Sequence, residues 1–276
     1  MHEQIPLSSS ALAIDKNDDE PVHEIAPELA YRRLAIVNVV YYGRPGAGDR
    51  DWVLIDTGIP GTEHLIVDGA YKRFGSKARP AAIVMTHGHF DHVGNLKDLA
   101  EKWEAPIYAH PLEMPYLNGS QSYPPPEPSV GGLMARLSPL FPRGPIDVTQ
   151  WLRPLPVDGS LPYMEGWHWL HTPGHAPGHI SLWNEEERAL IVGDAFITTR
   201  QESAYAVATQ KPEMHGPPQY FTPNWMAAEA SVKHLACLEP ELVITGHGSA
   251  MRGEEMRQAL HQLANNFQSI AVPKRE

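Results

Sequence analysis

The feature that most constrains this chain is the stretch THGHFDH at residues 86–92, directly after the apolar run AAIVM. The apolar run predicts a buried strand, and three imidazoles and one carboxylate follow where that strand ends. In extended backbone, residues two apart point the same way, so His87 and His89 can face one point. Asp91 and His92 can face a second point as the chain turns into a helix. Four such side chains fit one tetrahedral ion poorly, but two ions can share them.

Single residues of this stretch have ordinary structural explanations. Asp91 precedes the helical pattern VGNLKDLAEKW at 93–103 and could serve as its N-cap, and one histidine at a strand end is usually just a polar terminus. The cluster as a whole has no such explanation, because crowded imidazoles gain nothing from packing and risk charge repulsion. The stretch therefore predicts a metal site.

The same order of an apolar β-rich run, a glycine or turn, and then His or Asp recurs three times later in the chain. It occurs in HTPGHAPGH, in LIVGDAF and in LVITGHG. The candidate ligands in these segments are His171, His175, His179, Asp194 and His247. This repetition predicts that further ligands lie at other strand-to-loop junctions.

Composition excludes several classes of protein. The chain has 276 residues, enough for one large domain or two small ones, and a net charge of −11 that argues against a nucleic-acid partner. Its one cysteine, Cys237, fits a reducing compartment. Because the first 20 residues lack the features of a secretory signal and no apolar run approaches the length of a membrane span, we expect a cytoplasmic protein without a membrane partner.

Predicted elements alternate between β-rich and helical stretches in both halves of the chain. Residues 1–30 are predicted to form a polar N-terminal arm or an ordered edge, and two strands at 34–42 and 52–58 a hairpin. Further predicted elements are helices at 61–75, 93–103 and 254–270, strands at 81–85 and 105–110, and a helix after Thr222–Asn224, with either residue as its cap. This order predicts an α/β protein with two packed sheets and outer helices.

Residues 111–150 differ in texture from the rest. Nine prolines lie between residues 111 and 145, together with several glycines and little periodicity. So long an irregular segment inside a compact domain is usually functional, which favours a lid or pocket wall. The alternatives are a solvated surface excursion or a contact between subunits.

Four motifs, THGHFDH, TPGHAPGH, GDAF and TGHG, follow one another between residues 34 and 250. In this order they resemble the metallo-β-lactamase fold superfamily, and in particular its dinuclear branch, which includes glyoxalase II and the acyl-homoserine-lactone lactonases. The resemblance implies one domain over residues 1–276, a four-layer αββα sandwich of two mixed sheets with outer helices, and two divalent metal ions at the sheet edges. The implied ligands of one ion are His87, His89 and His175, and those of the other are Asp91, His92 and His247, with Asp194 bridging both.

Two further residues match positions of the superfamily beside its ligands. Asp56, in the sequence DTG, matches an aspartate that orients a ligand histidine through its second nitrogen. The alternative is a turn aspartate that caps its own loop. His179 matches a histidine that is not a ligand, and His171 is likewise expected to face its strand rather than to bind a metal ion.

The implied chemistry is hydrolysis of a carbonyl ester or lactone by a metal-bridging hydroxide, with Asp91 also moving a proton to the leaving group. The imidazole-rich site suits Zn²⁺, whereas the site with an added carboxylate also tolerates Fe, Mn or Co. The chain departs from the lactonases at Ile197, where they carry a tyrosine, and Tyr205 or Tyr220 could take its place. Alternatives are a β-lactam or thioester hydrolase of the same fold, or a mononuclear iron persulfide dioxygenase.

Aromatic and apolar residues are frequent in the two proline-rich loops, as in PYLNGSQSYPPPEP and HGPPQYF. They predict a pocket for a small-molecule substrate with an apolar portion. The alternative is that they cover a contact between two copies of the chain, since the superfamily often forms homodimers.

Overall fold

The computed structural model describes residues 5–13, 21–130, 132–209 and 211–273. Contacts within the chain divide it into two compact units. We call Asn17–Tyr123 with Pro142–His168 the N-terminal unit, and Met1–Lys16 with Pro124–Phe141 and Trp169–Glu276 the C-terminal unit. The single domain expected over residues 1–276 stays a prediction.

The strands are numbered in chain order. They are β1 (Ile5–Pro6), β2 (His23–Ala26), β3 (Leu29–Leu34), β4 (Val37–Tyr42), β5 (Val53–Ile55), β6 (Ala82–Val84), β7 (Ile107–Ala109), β8 (Leu152–Pro154), β9 (Trp167–His171), β10 (Ile180–Asn184), β11 (Ala189–Gly193), β12 (Glu213–Met214), β13 (Leu242–Thr245) and β14 (Met251–Arg252). The helices are α1 (Glu63–Phe74), α2 (Leu96–Trp103), α3 (Met114–Leu117), α4 (Leu133–Leu137), α5 (Ala204–Thr209), α6 (Trp225–Cys237), α7 (Gly253–Asn265) and α8 (Phe267–Ile270).

The N-terminal unit is built on a seven-stranded sheet in the order β2-β3-β4-β5-β6-β7-β8. Pairing is antiparallel from β2 to β5 and parallel from β5 to β8. The helices α1 and α2 bury apolar residues in the core of this unit, where Trp52 stacks on Phe74 with ring centroids 4.5 Å apart and meets Trp103 edge-on at 5.6 Å. Because β5 and β6 are parallel neighbours, the residues that follow them come to the same edge of the sheet.

The C-terminal unit contains a five-stranded mixed sheet in the order β14-β13-β11-β10-β9 and a separate pair, β1 with β12. Strands β11 and β13 are parallel neighbours, so the residues after them also share one sheet edge. The helices α6 and α7 contribute Val232, Leu235, Leu260 and Leu263 to a second apolar core. The predicted fold class, α/β with two mixed β-sheets and helices, is confirmed.

Several predicted boundaries differ from the structure. Within the predicted strand 34–42, Ala35 has a left-handed φ of 58°, so β3 ends at Leu34 and β4 begins at Val37. The helix predicted at 93–103 begins at Leu96 with Asn95 at its N-cap, so Asp91 does not cap it. The helix predicted at 254–270 is divided at the cap residue Asn266.

Other predicted segments contain more regular structure than expected. The described part of the predicted N-terminal arm contains β1, β2 and the start of β3, and β2 forms an edge of the seven-stranded sheet. The proline-rich segment 111–150 contains α3, α4 and two short 3-10 helices, Pro128–Val130 and Ser138–Leu140. Asn224, one of the two predicted caps of α6, accepts a hydrogen bond from the backbone N–H of Ala227 at 3.1 Å. Among the described residues, none of the helices combines the length and apolar character needed to cross a bilayer.

Candidate metal centre

The predicted ligands of the N-terminal unit lie in the loop between β6 and α2. His87, His89, Asp91 and His92 are all buried, none more than 6% exposed. The ring of His87 lies 4.7 Å from that of His89 and 4.1 Å from that of His92, measured between centroids. Ligand-type atoms of His87 and His89 lie within 4.8 Å of each other, as do those of Asp91 and His92. This unit therefore brings together all four side chains of the opening motif.

Asp56 organises this loop from the neighbouring strand end. It follows β5 in a left-handed conformation with φ 59°, and its Oδ1 accepts a hydrogen bond from the backbone N–H of Thr86 at 2.8 Å. Its Oδ2 accepts from the hydroxyl of Thr86 at 2.7 Å and lies 2.7 Å from His92 Nδ1. One buried carboxylate thus holds both the backbone and a side chain of the ligand loop.

These hydrogen bonds fix which nitrogen of two histidines carries the proton. A carboxylate only accepts, so His92 Nδ1 is the donor toward Asp56. The Thr86 hydroxyl gives its hydrogen to Asp56 and therefore accepts from His87 Nδ1 at 3.1 Å. In both rings the proton on Nδ1 leaves Nε2 as the basic nitrogen, which is the form that binds a metal ion.

Gly94 shows how closely the ligand loop approaches the segment after β5. Its N–H donates to Gly58 O at 2.8 Å, and a Cβ atom at this position would lie 2.3–2.5 Å from backbone atoms of residues 58–60. Backbone cannot yield as a flexible side chain can, so any larger residue would push the loop away. Thr57 also donates through both its N–H and its hydroxyl to His92 O, each at 2.7 Å.

The predicted ligands of the C-terminal unit come from three separate loops. Asp194 follows β11 and His247 follows β13, and His247 Nε2 lies 3.1 Å from Asp194 Oδ2. His175, from the loop between β9 and β10, places its Nε2 3.4 Å from the same oxygen. All three side chains are buried. One carboxylate oxygen therefore lies between two imidazole nitrogens.

Thr222 sets the orientation of His175. Its hydroxyl donates to Pro218 O at 2.7 Å and lies 3.1 Å from His175 Nδ1. Because the hydroxyl hydrogen is already used, Nδ1 of His175 is the donor and Nε2 is the basic nitrogen that faces Asp194. In both units a threonine hydroxyl accepts the Nδ1 proton of a candidate ligand histidine and leaves Nε2 as the basic nitrogen. The threonine is Thr86 for His87 and Thr222 for His175.

His179 supports Asp194 through the backbone. Its Nε2 accepts the N–H of Asp194 at 2.8 Å, so the ring is neutral and protonated at Nδ1. That proton points to the hydroxyl of Thr172 at 2.8 Å, which in turn lies 3.0 Å from Ser181 Oγ, and Ser181 donates to Val192 O. His179 is fully buried and uses Nε2 for this contact rather than for a ligand role.

The remaining candidates have separate positions. His171 is exposed, with its Nε2 2.9 Å from Pro177 O. Ile197 is buried and pairs with His215 through a short antiparallel bridge. Tyr205 is 73% exposed, whereas Tyr220 is 4% exposed and lies among aromatic rings. The sequence indicated Thr222 only as a possible helix cap and did not indicate Thr86 or Thr222 as the partner of a histidine, although Thr86 is the first residue of the THGHFDH motif.

Comparison with known proteins identifies the family. The family profile of the metallo-β-lactamase superfamily matches residues 32–247. The chain belongs to the metallo-β-lactamase superfamily. It is 48% identical to the probable metallo-hydrolase YflN of Bacillus subtilis over 238 residues, which covers 86% of this chain and 90% of that protein.

Solved structures of other proteins share the fold of this chain. A crystal structure of TTHA1623 in a di-iron-bound form is 27% identical, covers 83% of this chain and 92% of that one, and gives a TM-score of 0.52. A β-lactamase domain protein from Burkholderia ambifaria is 19% identical, covers 96% and 79% of the two chains, and gives a TM-score of 0.64. The fold of the superfamily, inferred from the motifs, is therefore confirmed.

The residues present fit divalent metal ions. Their donor set combines buried imidazoles, presented through Nε2, with buried carboxylates, and this mixture suits first-row divalent ions. Membership of the family and the clustered histidines and aspartates together assign divalent metal ions to this protein. Which metal binds, and which residue binds which ion, belong to the proposal below.

Proposed function

We propose that this protein is a metal-dependent hydrolase that cleaves a carboxylic ester or lactone with an apolar portion, and that both ligand sets hold its two divalent ions. The observation that carries the proposal is the position of Asp194 Oδ2 between His175 Nε2 and His247 Nε2, at 3.4 and 3.1 Å. A carboxylate between two metal-binding nitrogens is the arrangement expected of a bridging ligand. Kinship to a probable metallo-hydrolase at 48% identity supports the reaction class.

The assignment of ligands follows the superfamily pattern. His87, His89 and His175 would hold one ion, and Asp91, His92 and His247 the other, with Asp194 shared. When bound, such ions would lower the pKa of a bound water to about 7 and polarise a carbonyl oxygen. Zn²⁺ is the preferred metal in the proposal. The di-iron form of TTHA1623 supports iron as an alternative.

The chain's own residues then have separate tasks. Asp56 keeps His92 and, through Thr86, His87 in the tautomer that binds metal. Thr222 does the same for His175. Asp91 is 6% exposed and belongs to the ligand loop, where its carboxyl group can pass a proton to the leaving alcohol.

Aromatic side chains in the C-terminal unit support an apolar substrate. Tyr220 and Phe221 have ring centroids 4.9 Å apart, and Phe141 lies 6.4 and 6.3 Å from the two rings. This cluster joins the two proline-rich loops and directly precedes Thr222, which contacts His175. An acyl tail or ring packed here would lie beside a metal ligand. Tyr220 is thereby favoured over the exposed Tyr205 as the counterpart of the lactonase tyrosine.

A hydrolysis panel on the metal-loaded protein tests the substrate class. The panel contains acyl-homoserine lactones of increasing chain length, aryl esters of matched length, S-lactoylglutathione and a cephalosporin. We expect lactones or esters to be cleaved fastest, with kcat/KM rising with acyl length. Faster cleavage of the thioester or the β-lactam would contradict the ester or lactone assignment.

Metal analysis of the same preparation tests the proposed two-ion centre separately from the choice of substrate. We expect two divalent ions per chain by elemental analysis. A single iron per chain, with oxygen consumption on a persulfide substrate, would replace the hydrolase by a persulfide dioxygenase. The hydrolysis panel can therefore contradict the substrate class while the two-ion centre stands, and the metal analysis can contradict the two-ion centre by itself.

A further inference from the structure

We propose that Glu113 and Tyr123 are positioning residues. They hold the backbone N–H of Gly88, which lies between His87 and His89, and thereby set the direction of both ligands. Both residues come from the proline-rich segment, which would give its first part a role in the metal site rather than in a lid. The inference rests on the proposed two-ion centre. All of its contacts lie within the N-terminal unit.

The contacts converge on Gly88, the residue between the two ligands. Its N–H lies 2.9 Å from Glu113 Oε2 and 3.0 Å from Tyr123 Oη. The Tyr123 hydroxyl donates in turn to the same oxygen of Glu113. Glu113 is fully buried and Tyr123 is 3% exposed. A closed group of one carboxylate, one phenol and one peptide N–H therefore lies directly behind the two histidines.

Tyr123 is fixed on every side. Its ring lies 4.3 Å from that of His89 and stacks on Tyr116 at 3.9 Å with an interplanar angle of 8°. Its N–H donates to Arg143 O at 3.0 Å, and its carbonyl accepts from Arg143 Nη1 at 3.2 Å. The tyrosine thus holds one ligand by its ring and the adjoining peptide by its hydroxyl.

The space around Gly88 is too small for a residue that carries a side chain. A Cβ atom there would lie 2.8 Å from Tyr123 Oη and 3.4 Å from Glu113 Oε2 and from Leu117 Cδ2. The absence of a side chain lets both acceptors reach one N–H. The held N–H belongs to the peptide that joins His87 to Gly88, and His89 follows directly after Gly88. A turn of this peptide plane would change the direction of the backbone at both histidines, so one contact controls the two imidazoles.

A purely structural role explains this group poorly. Burying a carboxylate is costly, and apolar residues of similar volume often stabilise a protein as well or better. A buried glutamate aimed at a ligand peptide gives something that packing alone does not, namely a charge-assisted hydrogen bond that fixes the peptide direction. The negative charge also favours a cation bound nearby.

Two substitutions of matched size test the proposal. Glu113→Gln keeps the side-chain volume but removes the charge, and Tyr123→Phe keeps the ring but removes the hydroxyl. We expect each to lower the affinity for one of the two ions by about 10–100-fold, the range found for residues that orient metal ligands, and to leave the other ion in place. Affinities are measured with a competing chelator, and the visible absorption of the Co²⁺-loaded protein reports the ligand geometry. Glu165→Gln and Tyr163→Phe, at exposed positions of the same unit, serve as controls.

The outcomes are distinct. Two ions per chain in the unmodified protein, with unchanged affinities and Co²⁺ spectra in both variants, would overturn the positioning role while the two-ion centre stands. No divalent ion in the unmodified protein would overturn the proposed function and this inference with it. If Glu113→Gln fails to fold, as circular dichroism would reveal, Tyr123→Phe decides alone because it retains the stacked ring.

Discussion

The two units present their candidate ligands in contrasting ways. In the N-terminal unit four ligands occupy one short loop, and a single carboxylate, Asp56, supports two of them through hydrogen bonds of 2.7 and 2.8 Å. In the C-terminal unit three ligands come from three loops, and each support is separate and uncharged. Thr222 holds His175, while His179 holds the backbone of Asp194.

This difference predicts how each unit responds to damage. Charge-assisted hydrogen bonds are about twice as strong as neutral ones, so the support in the N-terminal unit is stronger but shared. Loss of Asp56 would release two ligands together. Loss of one support in the C-terminal unit would release only one. Substitutions in the two units should therefore rank in a defined order.

The largest effect is expected at Asp194, which we propose as a ligand itself rather than as a support for one. Asp194→Asn keeps the volume but removes the charge between His175 and His247. We expect kcat/KM to fall by more than the roughly 100-fold typical of residues beside ligands, with fewer than two ions retained. Elemental analysis and steady-state kinetics measure this, with Asp158→Asn on an exposed loop as control. Full activity and two ions would remove the bridging role.

The next effect is expected at Asp56. In Asp56→Asn the amide nitrogen would face a donor in either orientation, the Thr86 backbone N–H at one position or the Thr86 hydroxyl and His92 Nδ1 at the other, so at least one buried donor would lose its acceptor. We expect about 1–3 kcal/mol of lost unfolding free energy and metal affinity about 10–100-fold weaker.

Urea unfolding and chelator competition measure the two effects, with the exposed Asp51→Asn as control. If Asp56 supports both rings, Asp56→Asn should change the tautomer of His87 as well as that of His92. NMR of their ring nitrogens would detect this change. A response at His92 alone would contradict the shared support.

A smaller effect is expected at His179, where the support is neutral. His179→Leu leaves the Asp194 N–H without its neutral acceptor and should cost about 1–2 kcal/mol of unfolding free energy. His179→Gln offers a carbonyl oxygen near the position of Nε2, so we expect it to recover most of the loss. Thermal and urea unfolding distinguish the two variants, and His234→Gln on the exposed face of α6 is the control. Equal losses in both variants would mean that ring packing, not the hydrogen bond, is what matters.

The smallest effect is expected at Thr222. Thr222→Val keeps the shape of the side chain but removes the acceptor of His175 Nδ1. We expect the free energy of unfolding to fall by about 0.5–1.5 kcal/mol. Thr222→Ser retains the hydroxyl and should behave almost as the unmodified protein. The affinity for the ion that His175 is proposed to bind is the decisive measurement. A Val variant with unchanged affinity would show that His175 keeps its orientation without this hydroxyl.

The sequence predicted the strand-end positions of the ligands because apolar runs mark strands and the polar residues directly follow them. It did not predict Thr222 or Glu113 as partners, since each lies in an irregular, proline-rich loop far along the chain from the residue it supports. The strand predicted at 34–42 ran past Ala35 because alanine gives no sign of a left-handed turn. Likewise Asp91 resembled a helix cap, but the loop continues to Asn95 before the helix begins.

The pairing of β1 with β12 has a consequence for the order in which the chain matures. Ile5 lies beside Met214, so the C-terminal unit draws its core from segments at both ends of the chain. Most of the N-terminal unit, by contrast, is one continuous stretch that leaves the ribosome early, and domains generally fold as units during synthesis. The loop of His87 to His92 can therefore fold during synthesis before the partners of Ile5 and Leu7, more than 200 positions later, have been made. Until then these two apolar side chains stay exposed to solvent.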